Sequence, residues 1–320
     1  MPTLPPRGLI GALVTPLDNE CNIDKPGLKS LLEYTIENLH GVLIGAGDIG
    51  EGFVLGDQKR VELIKAGMEM VNGRIPLFLN ITGDTEARTG ENIAHVESIK
   101  GELDYKGDIF LSDCPLWYHS NKDLPDLYVE FGRLTPLPFV LYNNPYLIIE
   151  LQTHLKRKNI RTNVLKKLSK NEQIVGIMHV GELRRAMNYT RAVRDRRDFR
   201  IYDGNELDFL GNPSLDGVVT KGANILPREW KAITESSINP KETIKDDPTY
   251  YTDLWKAGQM LKFLHEAYFP NPTAIIKLAL KLMGRIGSSV VVEDTPAITP
   301  DQESRIYNLL AEYELIQRNL

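Results

Sequence analysis

The stretch LIGALVTPLDNECNIDKPGLKSLLEYTIENLHGVLI, residues 9–44, holds the pattern that decides the fold. It begins with an apolar run at 9–14, continues with apolar residues at helical spacing over 28–39, and ends with a second apolar run at 42–44. Short apolar runs of this kind are typical of buried parallel strands, and the helical segment between them is long enough for a crossover connection. The pattern therefore predicts a β-α-β unit.

The same alternation continues along the chain. Six further apolar runs are predicted as strands, at residues 75–81, 108–111, 138–142, 174–178, 199–202 and 217–220. Eight such units within about 230 residues predict an α/β protein with a (β/α)8 TIM barrel. A doubly wound sheet is the alternative, but no GxGxxG follows the first strand and opens a helix.

The strand pattern stops near residue 228, and helical spacing takes over. We predict helices over residues 228–235, 250–268, 273–283 and 302–317. Thr299 or Asp301 is suited to cap the start of the last helix. The sequence thus predicts a barrel over residues 1–228 and a C-terminal helical extension over 229–320.

Composition narrows the class of protein. The chain has 320 residues, 42% hydrophobic and 25% charged, which excludes disordered and fibrous proteins. Cys21 and Cys114 are too few and too far apart for a disulfide framework. A net charge of -5 gives no general attraction for nucleic acid or anionic membranes. Residues 1–7 lack a signal-peptide pattern and no apolar run is long enough to span a bilayer, so we expect a cytoplasmic protein with small-molecule partners.

One segment is strongly basic. Residues 156–200 contain 14 Lys and Arg against 4 Asp and Glu. This bias is compatible with a nucleic-acid face. Within it, however, apolar positions such as Ala186 and Val193 recur at helical spacing, which leaves Arg184 and Arg194 for the outer face of a barrel helix. We therefore favour a solvated helix surface over nucleic-acid binding.

Four motifs lie in order along the chain: GALVTP at 11–16, GAGDIGE at 45–51, YNNP at 142–145, and GVVT at 217–220 followed by Asn224. Together, over residues 8–315, they resemble the dihydrodipicolinate synthase and N-acetylneuraminate lyase family of class I aldolase-type barrels, whose segments include GTTGE, YNxP and GxIS. The resemblance implies the same barrel, with the active site at the carboxyl ends of the strands.

The resemblance also reveals departures from the family pattern. The family's Schiff-base lysine ends the sixth strand, where this chain has Met178, and a thioether cannot form an imine. The GTTGE threonines, which bind the substrate carboxylate, are replaced by Asp48 and Ile49. A carboxylate there would repel a substrate carboxylate unless a cation or a proton intervened. The arginine that follows YNxP is also absent, so we do not expect dihydrodipicolinate synthesis itself.

Two residues are candidates for catalysis. Tyr142 keeps the position of the family's proton-relay tyrosine, although it could equally be an aromatic residue that closes the barrel top. Strand alternation places Lys221 on the same face as Gly217 and Val219, and the resemblance orients that face inward. Lys221 could anchor a carboxylate, pair with Asp48, form an imine or extend to water. We favour the anchor or the ion pair.

The remaining candidates line the expected pocket or its surroundings. The predicted substrate-binding residues are Asp48, Ile49, Asn80, Asp113, Met178, Gly204, Asn205 and Val219. His179 follows Met178, should face away from the interior and is expected to be packed. Asp48, Asp113 and Glu206 suggest a metal site only faintly, so we expect no metal and no other cofactor.

Two functional hypotheses follow from the resemblance, together with a quaternary expectation. The first is a carbon-carbon lyase that acts on a small 2-keto acid-like compound, with Tyr142 moving a proton and Lys221 polarising the carbonyl or binding a carboxylate. The second is a ligand-binding pseudoenzyme, and a purely structural oligomer is a weaker third. The new charged residues favour the enzyme, because buried charges without a role are costly. Trp117 and Tyr118 look like the family's loop at a subunit contact, and a homo-oligomeric dimer or tetramer is expected.

Overall fold

A computed structural model describes residues 3–150, 157–213, 215–239, 249–292 and 295–317. In these residues eight parallel strands close into a barrel in chain order, with β1 paired to β8. The strands are β1 (Gly8–Ala12), β2 (Gly41–Ile44), β3 (Leu77–Asn80), β4 (Ile109–Asp113), β5 (Phe139–Asn143), β6 (Ile174–His179), β7 (Arg200–Asp203) and β8 (Gly217–Thr220). The predicted TIM barrel is confirmed, although the apolar runs at 9–14 and 75–81 do not match the strand ends.

Twelve α-helices lie in the described segments. They are α1 (Lys25–Thr35), α2 (Asp57–Val71), α3 (Glu86–Glu102), α4 (Leu124–Leu134), α5 (Pro145–Glu150), α6 (Thr162–Leu168), α7 (Leu183–Ala192), α8 (Glu206–Gly211), α9 (Pro227–Ile238), α10 (Tyr250–Tyr268), α11 (Pro272–Leu282) and α12 (Pro300–Glu312). Thr299, not Asp301, caps α12 through a capping box with Gln302. The helix predicted over 302–317 therefore starts earlier and ends five residues sooner.

The extension covers one side of the barrel. Helix α9 contains residue 228, where the sequence suggested a boundary, and it packs against β1 and β8 as an outer helix of the barrel. Helix α10 packs on α9, and α11 and α12 pack on α10 and on each other. The C-terminal helices are thus layered on the barrel. The predicted division of the chain into a barrel over residues 1–228 and an extension over 229–320 stays a proposal. No helix of the described segments is both long and apolar enough to cross a membrane.

The barrel interior is filled by aromatic and apolar side chains. The rings of Phe78 and Phe110 stack at 4.9 Å, and Phe78 meets Tyr202 on the opposite strand β7 at 6.4 Å. Contacts between non-neighbouring strands are possible only inside the barrel, so these residues point inward. Tyr142 and Met178 are in register with Tyr202 and share this inward face. The alternate residues of each strand face the surrounding helices.

Candidate active site

Three side chains converge at the mouth of the barrel. The Tyr142 hydroxyl lies 3.4 Å from Asp48 Oδ2, and Lys221 Nζ lies 3.5 Å from the same oxygen. Asn144 Nδ2 donates a hydrogen bond to the Tyr142 hydroxyl at 3.0 Å. The side chains of Asp48 and Lys221 are 18% and 31% exposed, so both charged groups are partly open to solvent. We call Asp48, Tyr142 and Lys221 the mouth triad.

Strand alternation does not explain how the side chain of Lys221 comes close to Asp48. Strand β8 ends at Thr220, and Lys221 has helical backbone angles at the start of a short 3-10 helix, Gly222–Asn224. The prediction that Lys221 continues the alternation of β8 was wrong, because the strand ends one residue before Lys221. Its long side chain nevertheless extends back to Asp48. Of the alternatives left open by the sequence, the structure contains the ion pair.

Asp48 lies on a tight loop between β2 and α2. Gly52 N donates to Ala46 O at 3.0 Å, and a Cβ on Gly52 would lie 1.9 Å from Gly45 O. Only glycine allows this close approach of the backbone. Thr15 Oγ1 donates to Gly50 O at 2.6 Å and ties the loop to the chain after β1. The GALVTP and GAGDIGE motifs thus pack together and fix the position of Asp48.

The floor of the mouth is apolar apart from one amide. Met178 and Ile49 are completely or almost completely buried, and Val219 is 7% exposed. Asn80 is buried at the end of β3, and its Nδ2 has no hydrogen-bond partner among the described residues. An unpaired buried amide donor is costly and marks a position where a ligand oxygen or a water molecule would be stabilised. Met178 is in register with Tyr142 on the neighbouring strand and Ile49 follows Asp48 in the chain, so these two predicted residues lie next to members of the mouth triad.

Asp113 belongs to a different group, on the outer side of the strands. It is completely buried, accepts a hydrogen bond from Thr82 at 2.8 Å, and accepts one each from the Tyr118 and Tyr128 hydroxyls at 2.7 Å. Burial raises its pKa, and these hydrogen bonds oppose the shift. Tyr118, expected near a subunit contact, is therefore tied to the protein's own β4. The structure does not bring Asp113 to the mouth triad.

The residues after β7 serve mainly as a helix start. The Asn205 side chain caps α8 by accepting from Asp208 N at 3.3 Å, and its Nδ2 donates to Asp208 Oδ2 at 3.0 Å. A Cβ on Gly204 would lie 2.6 Å from a methyl carbon of Val180. A side chain at residue 204 would therefore collide with Val180, which directly follows β6. Both positions are half-buried. The capping bonds occupy the Asn205 amide that the sequence suggested for ligand binding.

Glu206, which the sequence suggested only as a faint metal ligand, forms a buried polar centre. Its Oε1 accepts from the backbone amides of Lys221 at 2.7 Å and Gly222 at 2.8 Å, and its Oε2 lies 2.7 Å from His265 Nδ1. Tyr268 also donates to Oε2. Burial acts to raise the pKa of Glu206, but the hydrogen bond and charge of His265 and the other donors lower it to about 2.

A second buried pair joins the loop of Asp48 to the extension. Lys277 on α11 is completely buried and forms an ion pair with Glu51. Lys277 Nζ also donates to Val290 O at 2.8 Å, and Glu51 Oε1 accepts from Val292 N at 2.9 Å. A lysine within the apolar sequence of α11 was the signal that could have revealed this pair, since buried lysines require a partner.

His179 is packed, as the sequence predicted. It faces away from the barrel interior, and its Nδ1 lies 3.0 Å from Asn143 Nδ2, which identifies Nδ1 as the acceptor. Its ring meets the Tyr189 ring edge-on at 5.3 Å. Burial lowers the pKa of His179 to about 4, so the ring is neutral at pH 7. It supports the strand ends and takes no part in the mouth triad.

The arrangement offers hydrogen bonding and charge at the mouth. Among the described residues, no three His, Cys, Asp or Glu side chains cluster as metal ligands would. Asp48, Asp113 and Glu206 each have separate partners. The mouth triad can bind a small oxygen-containing molecule through the Lys221 ammonium and the Tyr142 hydroxyl, and Asp48 can accept a proton.

The fold and the position of the triad define a (β/α)8 barrel with polar groups at the carboxyl ends of its strands, the usual location of active sites in this architecture. The chain belongs to the dihydrodipicolinate synthetase family, whose model matches residues 5–308. This confirms the family indicated by the four motifs. The family is one of class I aldolase-type lyases.

Known proteins similar to the chain agree with this assignment. It is 28% identical to the 4-hydroxy-tetrahydrodipicolinate synthase of Syntrophotalea carbinolica, over 97% of this chain and 99% of that protein. The structure of the 4-hydroxy-tetrahydrodipicolinate synthase from Methylacidiphilum fumariolicum matches with a TM-score of 0.79 and 22% identity, over 96% of each chain. YagE of E. coli K12, solved in complex with pyruvate, matches with a TM-score of 0.78 and 20% identity, over 97% of this chain and 99% of that chain.

Proposed function

We propose that this protein is a carbon-carbon lyase that acts on a small 2-keto acid-like compound without the family's lysine imine. One observation carries the proposal: the Tyr142 hydroxyl and the Lys221 ammonium converge on one oxygen of Asp48 at the barrel mouth. Two donors separated by a single oxygen are within reach of one small carbonyl. The pyruvate bound by the related YagE supports a 2-keto acid as the first ligand to test.

Each member of the mouth triad has a proposed role. The Lys221 ammonium binds the carbonyl oxygen and stabilises the negative charge that develops there when the adjacent carbon loses a proton. Asp48 is the base that takes this proton. The resulting enolate carbon then bonds to the aldehyde carbon as the aldehyde C=O π bond opens, and the new alkoxide takes a proton from the Tyr142 hydroxyl, which Asp48 reprotonates; cleavage is the reverse of these steps. Burial, with the charge of Asp48, raises the pKa of Tyr142 well above its usual range. The hydroxyl therefore stays protonated and donates.

Met178 explains why another mechanism is required. It stands where the family resemblance places the Schiff-base lysine, and it is completely buried. Lys221 is the amine at the mouth and forms an ion pair with Asp48, and an ammonium group has no lone pair to attack a carbonyl. Electrostatic activation by Lys221 thus has more support than an imine on a relocated lysine.

A second candidate is a ligand-binding protein of the same fold that has no turnover. The burial of Met178 and Ile49 favours it, because these apolar side chains fill the floor where the family's reacting groups lie. In this alternative Lys221 and Asn80 hold a carboxylate or carbonyl, and no bond is made or broken. The homo-oligomer expected from the family resemblance is a proposal for both candidates.

Turnover and binding have to be measured separately on the same protein. Pyruvate is incubated with a panel of small aldehydes and products are followed by liquid chromatography and mass spectrometry, while pyruvate binding is followed by calorimetry. We expect product formation in the wild type and a loss of at least about 100-fold in Tyr142→Phe and Lys221→Met, since each removes a group that acts in the transition state. Binding of pyruvate without product formation supports the second candidate. If the wild type shows no binding and no product, both candidates are rejected.

Imine chemistry needs its own control. Borohydride is added in the presence of pyruvate and of other 2-keto acids, and the intact mass of the wild type is compared with that of Lys221→Ala. The proposal predicts no covalent adduct in either protein. An adduct that is present in the wild type and lost in Lys221→Ala would replace the electrostatic role of Lys221 with that of a nucleophile.

A further inference from the structure

A cleft on the rim of the barrel is lined almost entirely by cations. It lies between the segment that precedes α6 and the first turn of α7, and its volume is about 270 Å³. The lining residues are Arg157, Lys158, Asn159, Arg161 and Arg185. Four of these five side chains are positively charged and the fifth is a hydrogen-bonding amide, so the cleft has the composition of an anion site.

The cations of the cleft have no carboxylate partners among the described residues. Within the segments that the structure describes, none of the four forms an ion pair. Elsewhere in the same basic stretch, Arg196 pairs with Asp198 at 2.7 Å. The acidic residue nearest in sequence is Glu182, which is exposed and forms no ion pair with the cleft. Unpaired like charges that share one cleft repel one another, and a bound anion would relieve this repulsion.

The wall of the cleft is held in place by hydrogen bonds from three elements. Asn143 on β5 donates to Asn159 Oδ1 at 2.8 Å and accepts from Ile160 N at 2.8 Å. Asn121 donates to Asn159 O at 3.0 Å and accepts from Arg161 N at 2.7 Å. The Tyr189 hydroxyl of α7 donates to Ile160 O at 2.6 Å. Residues 159–161 are therefore fixed in place, which lowers the entropy cost of binding at this part of the cleft.

These bonds also orient the groups that face the cleft. Because Asn159 Oδ1 is occupied by Asn143, the NH2 group of Asn159 is the end that remains to donate. Arg185 lies in the first turn of the ten-residue helix α7, where Glu182 provides no side-chain cap to the free backbone amides. The positive end of the helix dipole adds to the charge of the arginines.

We propose that this cleft binds a phosphate group, either inorganic phosphate or a small phosphate monoester. Three guanidinium groups offer paired donors that match phosphate oxygens, and a doubly charged anion neutralises more of the cluster than a carboxylate does. The size of the cleft suits one such group. Single-stranded RNA is less well suited, because none of the described lining residues is aromatic and could stack on a base.

The test compares two double variants that remove the same charge from the same basic stretch. Arg161→Gln with Arg185→Gln alters the cleft, whereas Arg191→Gln with Arg197→Gln alters exposed arginines outside its lining. Binding of inorganic phosphate and of glycerol 3-phosphate is measured by calorimetry at fixed ionic strength. We expect millimolar or tighter binding in the wild type, a loss of at least about tenfold in the cleft variant, and no change in the other.

Each outcome of this test either supports or overturns the proposed phosphate site. Tighter binding of glycerol 3-phosphate identifies a monoester site and tighter binding of inorganic phosphate a free-phosphate site, and both uphold it. Equal losses in the two double variants, or no binding in the wild type, overturn it. So does tight binding of a single-stranded RNA oligonucleotide that both double variants weaken equally, because this marks a broad basic surface. A third variant, Arg157→Gln with Lys158→Gln, keeps the test valid if the first cleft variant unfolds, since both residues are exposed.

Discussion

His265 Nδ1 on α10 lies 2.7 Å from Glu206 Oε2 at the start of α8, so one buried carboxylate joins the C-terminal extension to the barrel. The other oxygen of Glu206 accepts from the backbone amides of Lys221 and Gly222. The backbone that carries Lys221 is therefore held by a residue that also holds α10. The extension thus positions one member of the mouth triad without contributing a side chain to it.

Glu206→Gln should destabilise the protein by about 3 kcal/mol at pH 7, because a glutamine NH2 would face hydrogen-bond donors in a buried site. The pKa of Glu206 is about 2 in the folded protein and 4.5 when unperturbed. Its contribution to the free energy of unfolding is therefore present above pH 4.5 and is lost as the pH falls toward 2. Urea unfolding at pH 7 and pH 3 measures both effects. The control is Glu130→Gln, on an exposed pair with Arg133. A loss no larger than the control's contradicts the prediction.

His179 should make the protein less stable as the pH falls from 6.5 to 4. Its pKa is about 4 in the folded protein and 6.5 when unperturbed, so the unfolded chain binds the proton first in this interval. The full difference corresponds to about 3 kcal/mol. In His179→Gln this part of the pH dependence should disappear, while the rest of the profile is kept. The free energy of unfolding is measured at pH 4.5 and 7.5 for both proteins. An equal change between the two pH values in wild type and variant would falsify the assignment of this pH dependence to His179.

Lys277 and Glu51 should behave as a coupled pair. Lys277→Met leaves the Glu51 carboxylate buried without its cation, and we expect a loss of about 3 to 5 kcal/mol. Glu51→Gln leaves the ammonium unpaired at a similar cost. The double variant should lose less than the sum of the two, because no unpaired charge remains. Urea unfolding of all four proteins gives the coupling free energy, and additive losses would show that the two charges act independently.

Met178→Lys should allow imine formation if the proposed lysine position is right. The new amine would lie beside Tyr142, in register on the neighbouring strand. We expect a borohydride-stable pyruvate adduct that the wild type lacks, together with lower stability, because Met178 is completely buried. Intact-mass spectrometry detects the adduct. The control is Met283→Lys, at the half-buried residue that follows α11, and an adduct there as well would indicate non-specific labelling.

The eight strands and the extension were predictable from sequence because burial imposes periodicity on each element separately. Parallel barrel strands are buried on both faces and appear as short apolar runs, and the loss of such runs after β8 indicated the helices. Thr299 was one of two predicted caps, since capping depends on a few neighbouring residues. Strand ends were less accurate, because apolar residues such as Leu13 and Val14 stay buried beyond Ala12, the last residue of β1.

The candidate site was predictable only in part. The catalytic roles of Tyr142 and Lys221 stay predictions. The ion pair of Lys221 with Asp48, one of the predicted roles, is present, whereas Asp113 and Asn205 are engaged in other hydrogen bonds. The Glu206 centre was missed as a structural group. His265 and Tyr268 on the buried stripe of α10 were the signal, since polar residues on such a face need a partner.

The sequence by itself determined the barrel, its order of strands and the family, because each depends on local periodicity and short motifs. Tertiary structure alone decided which charges meet. Asp48 and Lys221 are far apart along the chain, and only closure of β1 against β8 brings the loop after β2 near the end of β8. Pairing of charges depends on distances across the closed barrel, and no periodicity along a single strand or helix contains that information.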